Sequence, residues 1–510
     1  MTPQTGQNHQ AAFTALQRRL VSPLDGSPRP RTVLVLPSFS LDPAGMAKIP
    51  GILHYEERLL AFLHLLRVPD RRIVYATSTP VPPVAVDYAL GLVRSLPARH
   101  ARPRLTLVDC ADASPRPLTQ KILARPDVVE RLRRAVGDPR DACILAFNGS
   151  PHERDLALRL GVPLFACRPD LAHLGSKSGA REVFAEAGVP FPAGFGHLRD
   201  EDDLVTALAA LRARAPAPER AMIKVNDGFG AGGNALFDFR GAPTAGGVEA
   251  WVRAALPRRV TFATPPEDWE RYSAKFAEMG GVVEEFVEGA DSRSPSAQVS
   301  VSPTGEARVL STQDQFFVGA GHQTYAGCTA PAHPDYRRDV HDLALRTGRA
   351  LAGKGVVGIA SVDFVSARAD GVPRLLAAEI NLRMGGGTAP RMFLEGVADA
   401  RLDEETGGFR APDGRPLCYL ATDRLESEAY RGLTPEAVLA AARRGGLLYD
   451  ERAGAGAVFH MLGALPGFGK MGAVVIDRTT SAAHERYQAV VAALDAAAAA
   501  AARGPGPAAR

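Results

Sequence analysis

The sequence predicts a multidomain protein of mixed α/β and α+β class, with an N-terminal parallel-sheet domain, a two-lobed unit containing antiparallel strands, and a small C-terminal α/β piece. Three observations predict it. The chain has 510 residues, several times the length one hydrophobic core usually supports. Through its first third, strand-length apolar runs alternate with helical patterns, the mark of a parallel sheet. Beyond that, short runs are separated by glycine-rich and acidic turns, a composition closer to hairpins.

The elements follow in order. After a polar lead (1–27), read as an N-terminal extension, Arg31–Pro37 is a buried strand and Ile52–Leu66 places apolar residues at helical spacing. A strand at Ile73–Thr77, a helix at Val84–Leu96, a strand at Arg104–Cys110, a basic helix at Leu118–Val136 and a strand at Ala142–Asn148 continue the alternation, giving an α/β domain over 28–170. Helices at Ser178–Ala187 and Asp202–Ala215 precede the connection APAPER and the strand AMIKV. Further strands at 281–301, a helix at Pro334–Gly353 and an antiparallel pair, VVGIASVDFV with RLLAAEINL, fill a unit over 171–400. Its mobile lobe is placed at about 215–290. Residues 401–495 read as a separate α/β piece, and the alanine-rich end as a helix fraying into a flexible tail over 496–510.

Composition narrows the function. Hydrophobic residues make up 46% and charged residues 23%, which excludes a largely disordered chain, and the formal charge of +4 gives no footprint for nucleic acid. Five dispersed cysteines without a CxxC pair suit buried thiols in a reducing compartment, so the cytoplasm is expected. No apolar leader and no run long enough to span a bilayer occurs, so no membrane association is expected.

The most informative stretch is Val356–Arg391. Pairing the two strands about residue 371, beside Asp370-Gly371, sets Asp363 opposite Glu379. Alternation then puts Asn381 and Arg383 on the face of Glu379, and Val362, Phe364, Ile380 and Leu382 on the other, apolar face. Two facing carboxylates with Cβ atoms roughly 5 Å apart repel unless a cation lies between them. Magnesium, held by one or two carboxylates and completed by phosphate oxygens, would resolve the conflict and implies a nucleotide. The plainer reading is an edge hairpin with solvated acids; the following Gly385-Gly386-Gly387 argues against it, because glycines permit close backbone approach to a ligand.

Arginine dominates the cations, and the chain has seven lysines. Two of them adjoin candidate phosphate contacts. Lys224 precedes a loop carrying Gly228, Gly230, Gly232 and Gly233, whose amides could cradle phosphate. A strand rather than a helix follows that loop, so neither a dinucleotide fingerprint nor a Walker loop fits, and a flap between strands is expected. Lys177 opens a helix, where its charge and the N-terminal amides could together meet an anion. The segment GALPGFGKMG around Lys470 lacks the residues of a phosphate loop and reads as a plain loop. At His54–Glu57, helix-start electrostatics account for the two acids.

Taken in order, HLGSKSGAREVFAEAGVP, IKVNDGFGAGG, VVEEFVEGAD and VDFV with AAEINLR resemble the ATP-grasp superfamily. With HYEERLL, YATSTPV and NGSPHERDLALRLGVPLF, the chain is similar over about 30–490 to pheganomycin-type peptide ligases, which carry a pre-ATP-grasp domain before the ATP-grasp domain. The resemblance implies that Lys177, Lys224 and the glycine loop bind ATP phosphates, Glu284 and the Val287 backbone hold adenine, and Asp291 holds ribose, with Glu288 as the competing acid. It further implies that Asp363, Glu379 and Asn381 ligate Mg2+, with Mn2+ as an alternative, and that Arg383 steadies the reacting carboxylate. The implied activity is ATP-dependent carboxylate–amine ligation through an acyl phosphate, joining an amino-acid or peptide donor to an amine acceptor in natural-product assembly, with a homodimer as one assembly it allows. An ATP-grasp kinase and a non-catalytic nucleotide-binding scaffold are the alternatives. Gln313–Gln315 and a lid at Val318–Thr329, with His322 and Tyr325, are the substrate-side candidates.

Overall fold

The computed structural model describes residues 3–39, 43–228, 233–243, 246–263, 267–287, 289–318, 324–369 and 372–503. Gly230, Gly232, Glu288, His322 and the Asp370-Gly371 turn therefore lie outside the described residues.

The N-terminal sheet contains β1 (Thr32–Leu36), β2 (Arg72–Thr77), β3 (Leu105–Asp109), β4 (Ala142–Ala146) and β5 (Leu164–Phe165) in the parallel order β3-β2-β1-β4-β5. Its strands are continuous apolar runs because both faces are covered: Val33, Val35, Ile73 and Tyr75 face one core, and Leu34, Leu36, Val74 and Ala76 the other. The lead residues are part of this domain. Helix Pro3–Gln17 buries Phe13 in the second core, and Gln17 exchanges two hydrogen bonds with the Leu164 backbone, so this helix packs onto the sheet domain. The basic stretch at 118–136 is two helices, Leu118–Leu123 and Pro126–Val136, because Pro126 has no amide to continue the first.

A second, antiparallel sheet holds β6 (Gly194–Leu198), β7 (Arg220–Val225), β8 (Asn234–Asp238), β9 (Val260–Phe262) and β10 (Gly281–Glu285) in the order β6-β10-β7-β8-β9. The lobe starts earlier than expected at 215, since β6 forms its edge. The glycine loop connects β7 to β8, paired Lys224 to Asn234, which is the flap between strands that the sequence predicts.

The third sheet is the largest. It holds β11 (Ala290–Val301), β12 (Ala307–Val318), β13 (Thr324–Ala330), β14 (Gly358–Ala369) and β15 (Val372–Asn381), then β16 (Arg401–Asp403), β17 (Gly408–Arg410), β18 (Pro416–Glu426), β19 (Gly456–His460) and β20 (Lys470–Asp477). The order is β15-β14-β11-β12-β13-β18-β17-β16, with β20 pairing both β18 and β19. The C-terminal α/β piece, 401–495, is joined edge to edge to this sheet. β18 extends the sheet from β13, and Tyr419, Val458 and Val474 share one core with Phe62 of the N-terminal domain and Phe393 of helix Thr388–Ala398. The final helix, Thr480–Ala502, buries Val490, Leu494 and Ala498, so the expected tail at 496 begins within an ordered helix. Much of the expected 318–329 lid is strand β13, with Cys328 fully buried. All five cysteines are free. No helix among the described residues is long and apolar enough to cross a membrane.

Candidate active site

Strands β14 and β15 place Asp363 opposite Glu379. Near the turn the register runs Ala369 to Val372 and Phe364 to Ala377, which by itself would set Asp363 against Ala378. A β-bulge between Phe364 and Asp363 absorbs one residue of β15 and brings Glu379 across. Val362, Phe364 and Ile380 fill the apolar core behind the sheet, as alternation requires.

On the polar face both acids meet nearby donors. Lys177 Nζ lies 2.6 Å from Glu379 Oε2. Gln315 Nε2 donates to Asp363 Oδ1 at 3.1 Å, and Asn381 Nδ2 donates to Asp363 Oδ2 at 2.9 Å. Arg383 in turn donates to Asn381 Oδ1 at 3.0 Å and to the Met384 carbonyl at 3.3 Å. Burial first, and the facing Glu379 second, push the Asp363 carboxyl up to about 6. Burial also raises Glu379, but Lys177, Lys224 and Arg383 together outweigh it and hold this carboxyl below its usual range. Burial lowers the Arg383 guanidinium. Lys177 and Arg383 act on both acids and Lys224 on Glu379 as well, and the direct ion pair goes to Glu379.

Two carboxylates and an amide oxygen match the donor set that magnesium takes. Among the described residues no three His, Cys, Asp or Glu side chains gather into a metal-binding group, so any metal here would depend on the amide, on phosphate oxygens or on water.

Lys177 and Lys224 both line the cleft, but not as the sequence suggests. The amides of Lys177, Ser178 and Gly179 are taken by the Asn226 carbonyl (3.2 Å), Asn226 Oδ1 (3.0 Å) and Ser176 Oγ (3.0 Å), so the helix start offers the Lys177 ammonium rather than its amides. Lys224 Nζ donates to Glu284 Oε2 at 2.6 Å, and Arg181 to Glu284 Oε1 at 2.7 Å. Glu284 is buried beneath these two cations, outside the cleft lining, and its ion pair fixes the position of the Lys224 ammonium. Val287 and Asp291 lie outside the cleft lining, Val287 just after the last ladder bond from Phe286 to the Arg220 carbonyl, and Asp291 exposed with a left-handed φ of 53°. Gly233, at φ 107°, has no room for a Cβ, which would come within 2.5 Å of Val225. Gly228 ends the described part of the loop.

Lys177, Lys224, Asp363, Glu379, Asn381 and Arg383 line one cleft of about 1860 Å³. Gln313, Gln315 and Tyr325 line it too, as the sequence suggests, and Tyr325 packs against Gly386, where an added Cβ would come within 2.6 Å of its ring. What sequence reasoning misses is the wall built by distant segments: Phe39, Tyr55 and Arg58 from the N-terminal domain, and Asp423 and Lys470 from the C-terminal strands. Lys470 opens strand β20 instead of sitting in a loop. Glu56 and Glu57 lie past the first turn of their helix, Ile52–Arg67, and are buried, each with a partner from another segment, so the helix start does not account for them. Glu56 accepts from Ser78 N and Oγ, both at 2.6 Å, and Glu57 accepts from Gly463 N at 3.1 Å.

Residues 169–245 and 257–403 match the family model of IQCH-like ATP-grasp proteins, and residues 437–490 that of the PGM1 C-terminal domain. The L-propargylglycine–L-glutamate ligase of Streptantibioticus cattleyicolor is 35% identical over 459 residues, covering 89% of this chain and 92% of that protein. IQ motif-containing protein H of Danio rerio is 24% identical over 249 residues, 43% of this chain but 23% of that protein. In fold, the chain is similar to biotin carboxylase from Campylobacter jejuni, with a TM-score of 0.52 at 12% identity covering 89% of each chain. The biotin carboxylase domain of the Hydrogenobacter thermophilus 2-oxoglutarate carboxylase gives a TM-score of 0.52 at 15% identity, covering 90% of this chain and 89% of that one.

Proposed function

Because the chain belongs to the ATP-grasp superfamily of carboxylate–amine ligases, alongside the pheganomycin-type peptide ligases, we propose that it joins an amino-acid or peptide carboxylate to an amino-acid amine in natural-product assembly. Ligation in this superfamily consumes ATP with a divalent metal, Mg2+ in our reading and Mn2+ as a substitute. The observation that carries the site assignment is the Asp363–Glu379 pair, facing each other in one cleft with Lys177, Lys224 and Arg383.

A free carboxylate is a poor electrophile. One of its oxygens takes the γ-phosphoryl group of ATP, releasing ADP, and the resulting acyl phosphate is attacked by the amine. The tetrahedral adduct expels phosphate, the nitrogen loses a proton, and an amide remains. Lys177 and Lys224, each held by an acid, compensate phosphoryl charge without reorganising during the reaction. Asp363, Glu379 and Asn381 would hold the metal, which when bound would neutralise phosphate oxygens. Arg383, oriented by Asn381, faces the donor carboxylate and then the oxyanion. Glycine-loop amides, including those of Gly228 and Gly233, cover the phosphates, and closure of the flap keeps water from the acyl phosphate. Val287 and Asp291 belong to the nucleotide end in this reading, reached when the second sheet closes.

Incubating the full chain with ATP, Mg2+ and pairs of amino acids, including L-glutamate, tests the proposal. Equal amounts of ADP and a new amide mass are expected. A stable phosphorylated acid, or ADP without amide across a broad acceptor set, would overturn it.

A further inference from the structure

Opposite the nucleotide end, the cleft has a charged wall that phosphoryl chemistry does not use. In the N-terminal sheet the strand order reverses between β1 and β4, so their C-terminal ends flank a topological switch point, where open α/β sheets bind ligands. Phe39 follows β1 and Phe147 follows β4, and their rings stack with centroids 4.2 Å apart. The Arg58 guanidinium lies over both, 5.1 and 5.7 Å from the centroids, and 4.8 Å from that of Tyr55. Arg58 is buried, and its Nη1 donates to Asp423 Oδ2 of β18 at 2.7 Å. Lys470 donates to the Tyr55 hydroxyl at 2.8 Å.

This wall is tied to the reaction centre. The Met384 amide donates to the Phe147 carbonyl at 2.9 Å, and Asn148 forms a backbone bridge with Arg383. Behind Asp423, His460 sits with its Nε2 3.7 Å from Oδ1; neither ring nitrogen has a hydrogen-bond partner among the described residues, and burial lowers this imidazole to about 4. A neutral His460 leaves the Asp423 charge to be answered from the cleft side, where Arg58 lies.

Of the guanidinium groups that line the cleft, Arg58 and Arg383 are the two this backbone link brings together, with the acid Asp423 paired to the first. That pattern of two cations and one anion complements two carboxylates and one ammonium. A zwitterion inserted beside an ion pair meets an opposite charge for each of its own, whereas a lone charge would leave one group buried and unpaired. L-Glutamate, one of the two amino acids for which the Streptantibioticus cattleyicolor ligase is named, carries this set.

Resting on the ligase reading above, we propose that the switch-point wall binds the head group of an acidic α-amino acid acting as acyl donor. Arg58 and Lys470 receive its α-carboxylate, Asp423 its α-ammonium, and its side-chain carboxylate extends to Arg383 for activation.

Hydroxylamine tests this without knowledge of the acceptor: it attacks the acyl phosphate in place of the amine, releasing phosphate and leaving a hydroxamate that can be counted alongside ADP. The probes are L-glutamate, glutarate, which lacks the ammonium, and 4-aminobutyrate, which lacks the α-carboxylate. The full-length wild type should use L-glutamate with kcat/KM at least tenfold above either analogue. Arg58→Gln should bring L-glutamate down to within threefold of 4-aminobutyrate, and Asp423→Asn to within threefold of glutarate. Titrated ATP affinity should stay within threefold of wild type in both. Equal use of the three probes by the wild type, which requires no variant to fold, would overturn the proposal. So would variants that depress all three probes alike. Hydroxamate from other amino acids but none from L-glutamate would remove the head-group assignment and leave the ligase reading standing. Neither ADP nor hydroxamate from any of the common amino acids would remove both.

Discussion

Glu379→Gln deletes one of the two facing charges while keeping the side chain's shape, and its effects on stability and turnover should separate. With Cβ atoms roughly 5 Å apart and an effective dielectric near 20, two ionised carboxylates repel by about 3 kcal/mol. Lys177 Nζ, 2.6 Å from Glu379 Oε2, offsets that repulsion, and the 31% exposure of the Glu379 side chain lets solvent screen both contributions. The substitution removes the repulsion and the ion pair together, so the opposing changes should leave the unfolding free energy within about 2 kcal/mol of wild type. Asp363, no longer beside a second acid, should fall from about 6 toward the ordinary carboxylate range. Turnover has no such compensation. Loss of one preorganised electrostatic group costs about 10²- to 10³-fold in rate, and loss of a metal oxygen adds to it. ADP release under saturating donor, measured across a Mg2+ titration and paired with urea unfolding, gives both quantities. Turnover within about tenfold of wild type, at an unchanged Mg2+ requirement, would refute the metal-holding role of the pair.

Three other outcomes follow from the same geometry. Arg383→Ala should lower amide formation by about 10²-fold while equilibrium titration finds ATP affinity within about threefold of wild type; a parallel loss of nucleotide binding contradicts the role beside the donor carboxylate. Glu56 is raised from 4.5 to about 7, chiefly by burial, so the fold favours its protonated form. The stability this contributes is full below about 4.5 and is lost as pH rises through about 7, a change of about 3 kcal/mol that Glu56→Gln should abolish in urea titrations across that range. A pH-independent difference between the two proteins contradicts it. Gly472→Ala would bring a Cβ to 1.9 Å from the His460 ring, which is stacked on Phe393 with centroids 5.5 Å apart. The forced shift should destabilise the fold by roughly 1–3 kcal/mol, and an unchanged urea midpoint would show that the ring moves freely.

Local pattern made much of this molecule legible in its sequence. The strands of the first sheet are buried on both faces, so each reads as an unbroken apolar run. The face shared by Glu379, Asn381 and Arg383 follows from alternation. The Asp363–Glu379 opposition depends on more than the turn, however: the turn-proximal register alone gives Ala378, and the bulge that corrects it has no sequence mark. The remaining misreadings concern partners far apart in the chain. Asn226 closes the helix start at Lys177, Arg181 and Lys224 enclose Glu284, and Ser78 receives Glu56, none of them visible to a local pattern. The C-terminal strands carry their own turns and helix, so they read as self-contained until β18 is seen beside β13. Nothing near Arg58 in sequence suggests the Asp423 it meets.

That junction has a consequence for biosynthesis of the chain. The outer edge of β13 leaves the ribosome long before β18 does, so the newborn polypeptide carries an unsealed strand edge, open to association with other chains. Fragments ending before residue 416 keep that edge permanently and should accumulate as insoluble material however complete their nucleotide-facing half.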